Sequence, residues 1–150
     1  MAAPADPGRR TEMKISAELC RQRFVAARVA RLATADPAGR PHLVPISFAL
    51  VGERLVTAVD QKPKSSTALR RLRNIAGNPA VTVLCDHYSD DWTQLWWVRI
   101  DGVATVTGDV QRPVALDALL AKYPQYRDDP PRGPVISVSI QRWTGWAYQG

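Results

Sequence analysis

The chain has 150 residues, 45% of them hydrophobic, so a single domain with a packed core is expected. Lys and Arg number 20 against 14 Asp and Glu, and the net charge of +6 favours an anionic partner without naming it. Two cysteines (Cys20, Cys85) and two histidines fit neither a disulfide framework nor a zinc site, so no metal is expected, and no apolar run reaches the ~18 residues of a membrane span.

Residues 1–12, rich in Pro, Ala and charge, lack the apolar stretch of a secretory signal and read as a disordered tail before a domain over 13–150. With no signal and unpaired cysteines, the expected compartment is the cytoplasm. Residues 15–28 read as a helix capped by Ser16, with Cys20, Phe24 and Ala27 on one face. Residues 29–36 form a strand and 37–40 a turn. A second strand covers 42–50 and a third 55–59. Pro45 inside the second strand argues for an edge, a bulge, or a place where a ligand meets the backbone.

A helix begins near Thr67. Ala68, Leu69, Leu72, Ile75 and Ala76 share its face, and residues 77–79, "GNP", stop it. Residues 80–86 are a fourth strand and 87–91 a loop. A long strand over 95–108 carries Gly102 as its bulge. Residues 112–124 form a helix with Pro at its start, and 134–140 a last strand. Six strands and three helices in this order predict a mainly β (α+β) fold, a six-stranded antiparallel β-barrel with flanking helices. No GxGxxG follows a strand, which disfavours a Rossmann site.

The stretch "DQKPKSSTALRRLRNI" (60–75) carries the densest charge. Ser65 or Ser66 can cap its helix. Lys62 and Lys64 stand just before the positive end of the helix dipole, at a cost of ~0.3–1 kcal/mol each, a placement that makes sense if an anion sits there. Pro63 stiffens the loop. The plainer alternative is that lysines before a helix need no ligand, and Arg70, Arg71 and Arg73 on the polar face read as solvated. Nucleic-acid binding would want aromatics interleaved with these cations. The tryptophans lie elsewhere (Trp92, Trp96, Trp97, Trp143, Trp146), so neither a nucleic-acid nor a membrane partner is expected.

Three ordered blocks, "ARLATADPAGRPHLVPISFAL", "KPKSSTALRRLRNIAGNPAVTVLCDHY" and "DWTQLWWVRIDGVATV", resemble the pyridoxamine 5'-phosphate oxidase-like split β-barrel superfamily of flavin and deazaflavin oxidoreductases. The resemblance spans about residues 15–148 and is closest to the F420-dependent branch. It implies an FMN-binding split-barrel fold and a homodimer with cofactor sites at its interface. It puts the cofactor phosphate at Lys62, Lys64, Ser65 and Ser66. The ring lies along Pro45, Ile46, Ser47 and Thr57, Ala58, Val59. Trp97, Arg99, Arg142 and Trp143 are the positions from which the partner subunit contributes. The implied activity is hydride transfer between coenzyme F420 and a small organic acceptor. The alternatives are an FMN-dependent pyridoxamine 5'-phosphate oxidase-like enzyme and a non-catalytic flavin- or F420-binding protein.

A catalytic triad is not required when the cofactor carries the redox chemistry. None is visible, since Ser47 has no evident His and Asp partners. The catalytic residues stay unassigned; His87 or Tyr88 could protonate a reduced substrate, and either could as well be an ordinary loop residue. In "LWWV", Trp96 and Trp97 fall on opposite faces of a strand. Trp143 and Trp146 could cover a pocket or seal a dimer. Cys20 and Cys85 read as buried apolar fillers.

Overall fold

A computed structural model of the chain describes the backbone of residues 13–59 and 66–148, and the side chains of 14–59 and 70–148. The predicted tail at residues 1–12 lies outside the described residues. The elements in chain order are β1 (Met13–Lys14), α1 (Ala17–Ala26), β2 (Ala30–Ala35), β3 (Pro41–Ile46), β4 (Ala49–Val51), β5 (Arg54–Ala58), α2 (Ser66–Gly77), β6 (Ala80–His87), β7 (Trp96–Val106), α3 (Arg112–Lys122), α4 (Gln125–Asp128) and β8 (Val135–Ala147). A 3-10 turn over Trp92–Gln94 precedes β7.

The strands form one antiparallel sheet in the order β3-β2-β6-β7-β8-β5-β4, with β1 added on β8. The two end strands, β3 and β4, are consecutive in the chain and separated only by Ser47 and Phe48. A two-residue link between opposite ends of the strand order forces the sheet to curl back on itself. The predicted mainly β split barrel with flanking helices is therefore the fold.

Among the described residues the expected six strands become seven in the sheet order, with the short β1 beside them as an eighth. One addition is β1. The other arises because the predicted strand over 42–50 breaks in two. At the break, the Phe48 N–H donates to Tyr123 Oη at 3.1 Å and the Ser47 carbonyl accepts from Thr57 Oγ1 at 2.7 Å. Side chains distant in sequence take the bonds that a strand ladder would have made. The last strand also outruns its expected end at residue 140: "RWTGWA" continues β8 and pairs with β7 as far as Ala147 opposite Trp96.

Several local expectations hold. Ser16 caps α1 by accepting from the Leu19 N–H at 3.1 Å. Pro113 lies in the first turn of α3. The register of β7 against β8 shifts between Asp101 and Gly102, and a Cβ at Gly102 would strike the Ser139 backbone. Pro45 sits on β3, an edge strand of the path, opposite Arg31 of β2. Helix α4 was not anticipated.

Alternation along the strands separates two apolar clusters. Leu32, Val44, Ile46, Leu55, Val59, Val83, Val98, Ile100, Ile136 and Val138 fill the curl of the sheet, and Cys20, Phe24 and Phe48 join them. Phe24 packs edge-on against Phe48 and Trp143, with ring centroids 5.0 and 5.8 Å apart. The second cluster lies outside the curl, where Ala115, Leu119 and Tyr123 cover Ala49, Val56 and Val135. Strand β5 is thus buried on both faces. Among the described residues, no helix is long and apolar enough to cross a membrane and no group of three metal-ligating side chains forms.

Candidate functional site

The ends of β3 and β5 meet. Thr57, fully buried on β5, donates through Oγ1 to the Ser47 carbonyl, so the predicted segments Pro45–Ser47 and Thr57–Val59 converge on one corner. Ile46 and Val59 point into the interior cluster, and Pro45 is exposed. Ala58 faces outward and borders an open pocket of about 390 Å³ shared with Tyr126, Asp129 and Arg132. Lys62, Lys64 and Ser65 lie outside the described residues. Ser66 opens α2, and its side chain also lies outside them.

Helix α2 is pinned to β2 by a buried hydrogen bond from Asn74 Nδ2 to Thr34 Oγ1 at 3.0 Å. That contact sets the roll of the helix and corrects one expectation. Arg71 is half-buried, not solvated with Arg70 and Arg73, and burial pulls its guanidinium below the ordinary value. Among the described residues, Arg71 Nε is sealed from water without a hydrogen-bond partner, and so is His42 Nδ1 on β3. Burial and then the charges of Arg70 and Arg71 hold the His42 imidazole below its usual range. Among the described residues, no carboxylate forms an ion pair with Arg70, Arg71 or Arg73. The sequence did carry a signal for Arg71. It stands three residues after Ala68 and four before Ile75, on the apolar stripe of the helix.

The other predicted positions divide between two faces of the sheet. On the outer face, Trp97, Arg99 and Asp101 of β7 are cross-strand partners of Trp146, Thr144 and Arg142 of β8. The Arg99 guanidinium lies 5.5 Å from the centre of the Trp97 ring, and its Nε is 3.4 Å from the Asp101 carboxylate. Trp143 instead points inward onto Phe24. A single chain therefore does not gather Trp143 with Trp97 and Arg99. Of the proton-donor candidates, His87 is exposed and stacks on Trp96, and Tyr88 is exposed at 68%.

Residues 16–147 match the family model described as pyridoxamine 5'-phosphate oxidase. The chain belongs to the pyridoxamine 5'-phosphate oxidase family. The sequence has no significant match among the curated proteins. Solved structures share the oxidase-family fold. A FAD-binding protein from Mesorhizobium loti is 23% identical with a TM-score of 0.69, over 90% of this chain and 96% of that one. The FAD-binding protein from Mycobacterium smegmatis is 17% identical with a TM-score of 0.61, over 89% and 97%. The heme storage protein from Vibrio cholerae is 16% identical with a TM-score of 0.62, over 83% and 87%. At these identities the likeness is one of fold.

In this oxidase-family chain the thiols are poor nucleophiles. Burial pushes Cys85 up to about 12 and raises Cys20 as well. What the site can offer is a backbone corner, an open pocket beside it, and a set of cations with no ion-paired carboxylate among the described residues.

Proposed function

We propose that this member of the family is an oxidoreductase that holds coenzyme F420, with hydride passing between the coenzyme and a small organic acceptor. One observation carries the reading: among the described residues, Arg71 Nε and His42 Nδ1 are sealed from water without partners, beside Arg70, and no carboxylate is ion-paired with these arginines. A buried donor left unsatisfied, as Arg71 Nε is, costs about 1–3 kcal/mol, and an anion would satisfy it; a protonated His42 would add a second donor. In sequence, Lys62 and Lys64 precede the same helix. Together these cations exceed the need of one phosphate, which favours the longer, carboxylate-bearing tail of F420 over FMN.

The bound coenzyme would supply the two-electron chemistry. The chain's part is binding and orientation. Arg70, Arg71, Lys62 and Lys64 would hold the anionic end. The Ser47 corner, pinned by Thr57, would present backbone groups to the ring, and the pocket at Ala58 would leave room for the acceptor. A homodimer belongs to the same reading. Leu43 is 66% exposed on the outer sheet face, and Thr144 Oγ1 on that face is sealed without a partner. A second copy covering this face would bring Trp97 and Arg99 to the partner's site.

A second reading, FMN in place of F420, is favoured by the fold shared with FAD-binding proteins. Absorbance of the purified protein and tryptophan quenching on titration test the two. Quenching by F420 with no response to FMN, followed by turnover with an acceptor panel, is the expected result. A yellow protein carrying tight FMN would replace F420 by FMN. Binding without turnover across the panel would reduce the function to storage.

A further inference from the structure

A second pocket, of about 200 Å³, opens on the outer face of the barrel between the β4–β5 hairpin and the start of α3. The period of two along β5 puts Arg54 and Val56 on that face, and the pairing of β5 with β8 sets Ser137 opposite Val56. Val51, Val56, Val110, Val114 and Ala115 form an apolar wall. Val110 is 91% exposed and Val114 57%, so the wall borders solvent. Polar groups line the same pocket. Arg54 Nη1 donates to Ser137 Oγ at 3.0 Å. Ser137 is buried, and among the described residues its own hydroxyl proton has no acceptor. Thr107 is anchored by its N–H on the Val135 carbonyl at 2.8 Å, and among the described residues its Oγ1 is sealed from water without a partner. No carboxylate among the described residues forms an ion pair with Arg54, since that of the adjacent Glu53 turns to Arg21 Nη1 at 3.6 Å. Helix α3 begins here with no acid in its first turn, so the positive end of its dipole adds to the charge of Arg54.

We propose that this pocket is a binding site for a small monocarboxylate with an apolar body, such as an aromatic acid of one ring. The carboxylate accepts from the Arg54 N–H groups that Ser137 leaves free and from the Ser137 hydroxyl. The body lies on the valine wall. A rotation about χ1 turns the Thr107 hydroxyl from a place where it bonds nothing to the ligand's edge. An apolar cavity of about 150 Å³ holds a benzene ring, so this volume takes one ring with one head group. A phosphate suits the pocket less, because the valines offer its remaining oxygens no donors. The pocket shares no lining residue with the one at Ala58, so the site is separate from the corner to which the coenzyme is assigned.

The test titrates the full chain, labelled with nitrogen-15, with sodium benzoate and follows the backbone amide shifts. Saturable shifts are expected at Val51, Arg54, Val56, Val114 and Ser137, with a Kd on the order of 1 mM for so small a ligand. Benzyl alcohol, which has the ring without the charge, should bind about tenfold more weakly. Arg54→Gln removes the cation at an exposed position and should weaken benzoate about tenfold. Val114→Glu, also at an exposed position, keeps the fold and should abolish binding by placing a like charge in the wall. Shifts that fail to saturate, that are equal for benzyl alcohol, that centre on His42 and Arg71 instead, or that survive both substitutions overturn the proposal.

Discussion

The hydroxyl of Thr57 reaches 2.7 Å across to the carbonyl of Ser47 and so joins β5 to the bend between β3 and β4. Thr57→Val keeps the shape and removes the bond, leaving a carbonyl unsatisfied at a part-buried corner. The expected loss is about 1–2 kcal/mol in urea unfolding, together with weaker cofactor binding. Thr57→Ser should retain most of both. Unchanged denaturation and affinity in the valine variant would show that the corner is held by other contacts.

Arg71→Gln should weaken binding of a phosphate-bearing cofactor about tenfold, because a charge-assisted bond is worth about 1.5–3 kcal/mol. His42 adds a pH signature. Its depressed pKa leaves it neutral at pH 7, and a bound anion would raise that pKa. Affinity should therefore increase as pH falls into the range where the imidazole takes up its proton, and His42→Gln should flatten the profile. Isothermal titration in two buffers of different ionisation enthalpy would detect the proton uptake.

Lys122→Met retains the stem and removes a charge that the fold disfavours. With the folded-state pKa lowered from 10.5 to about 8, the unfolded chain binds more protons between those values. Stability from this group is complete above pH 10.5 and is lost as pH falls through 8. The methionine variant should melt higher than the parent at pH 7, and the gap should close towards pH 10.5. A gap independent of pH in thermal melts would point to packing instead.

Tyr123 is a clamp with two grips: its Oη accepts from the Phe48 N–H at 3.1 Å and donates to the Arg28 carbonyl at 2.9 Å. Tyr123→Phe keeps the ring in its apolar cluster but orphans a buried N–H. A loss of about 2 kcal/mol is expected, seen as a fall of roughly 4–8 °C in Tm.

Much of the fold was legible because its signals are local. Ser16 caps the helix it precedes, Gly102 marks the bulge, and Pro113 opens α3. What escaped was decided by partners far along the chain. Nothing between residues 42 and 50 announces that Tyr123 will take the Phe48 N–H, so one continuous apolar run read as one strand. "RWTGWA" lacks clean alternation, and its pairing with β7 and β1 makes it a strand. For the candidate site, the corner of Pro45, Ser47 and Thr57 was anticipated through family resemblance. Arg71 read as solvated because of its charge, while the Asn74–Thr34 bond rolls it inward, and nothing in the sequence singled out His42.

The strand order also bears on how the molecule assembles. Strand β8 comes last of the strands in the chain, yet it lies between β7 and β5 in the sheet. Without it the sheet falls into two pieces, β3-β2-β6-β7 and β5-β4, joined in the chain by Ser47 and Phe48 and by the segment that carries α2. Each piece would present a raw edge to other chains. Closure therefore waits on contacts between residues some 80 positions apart, such as Arg54 with Ser139, a topology that favours slow folding. Until residues 135–147 dock, the edges of β5 and β7 are open to mispairing, and shielding them would fall to chaperones.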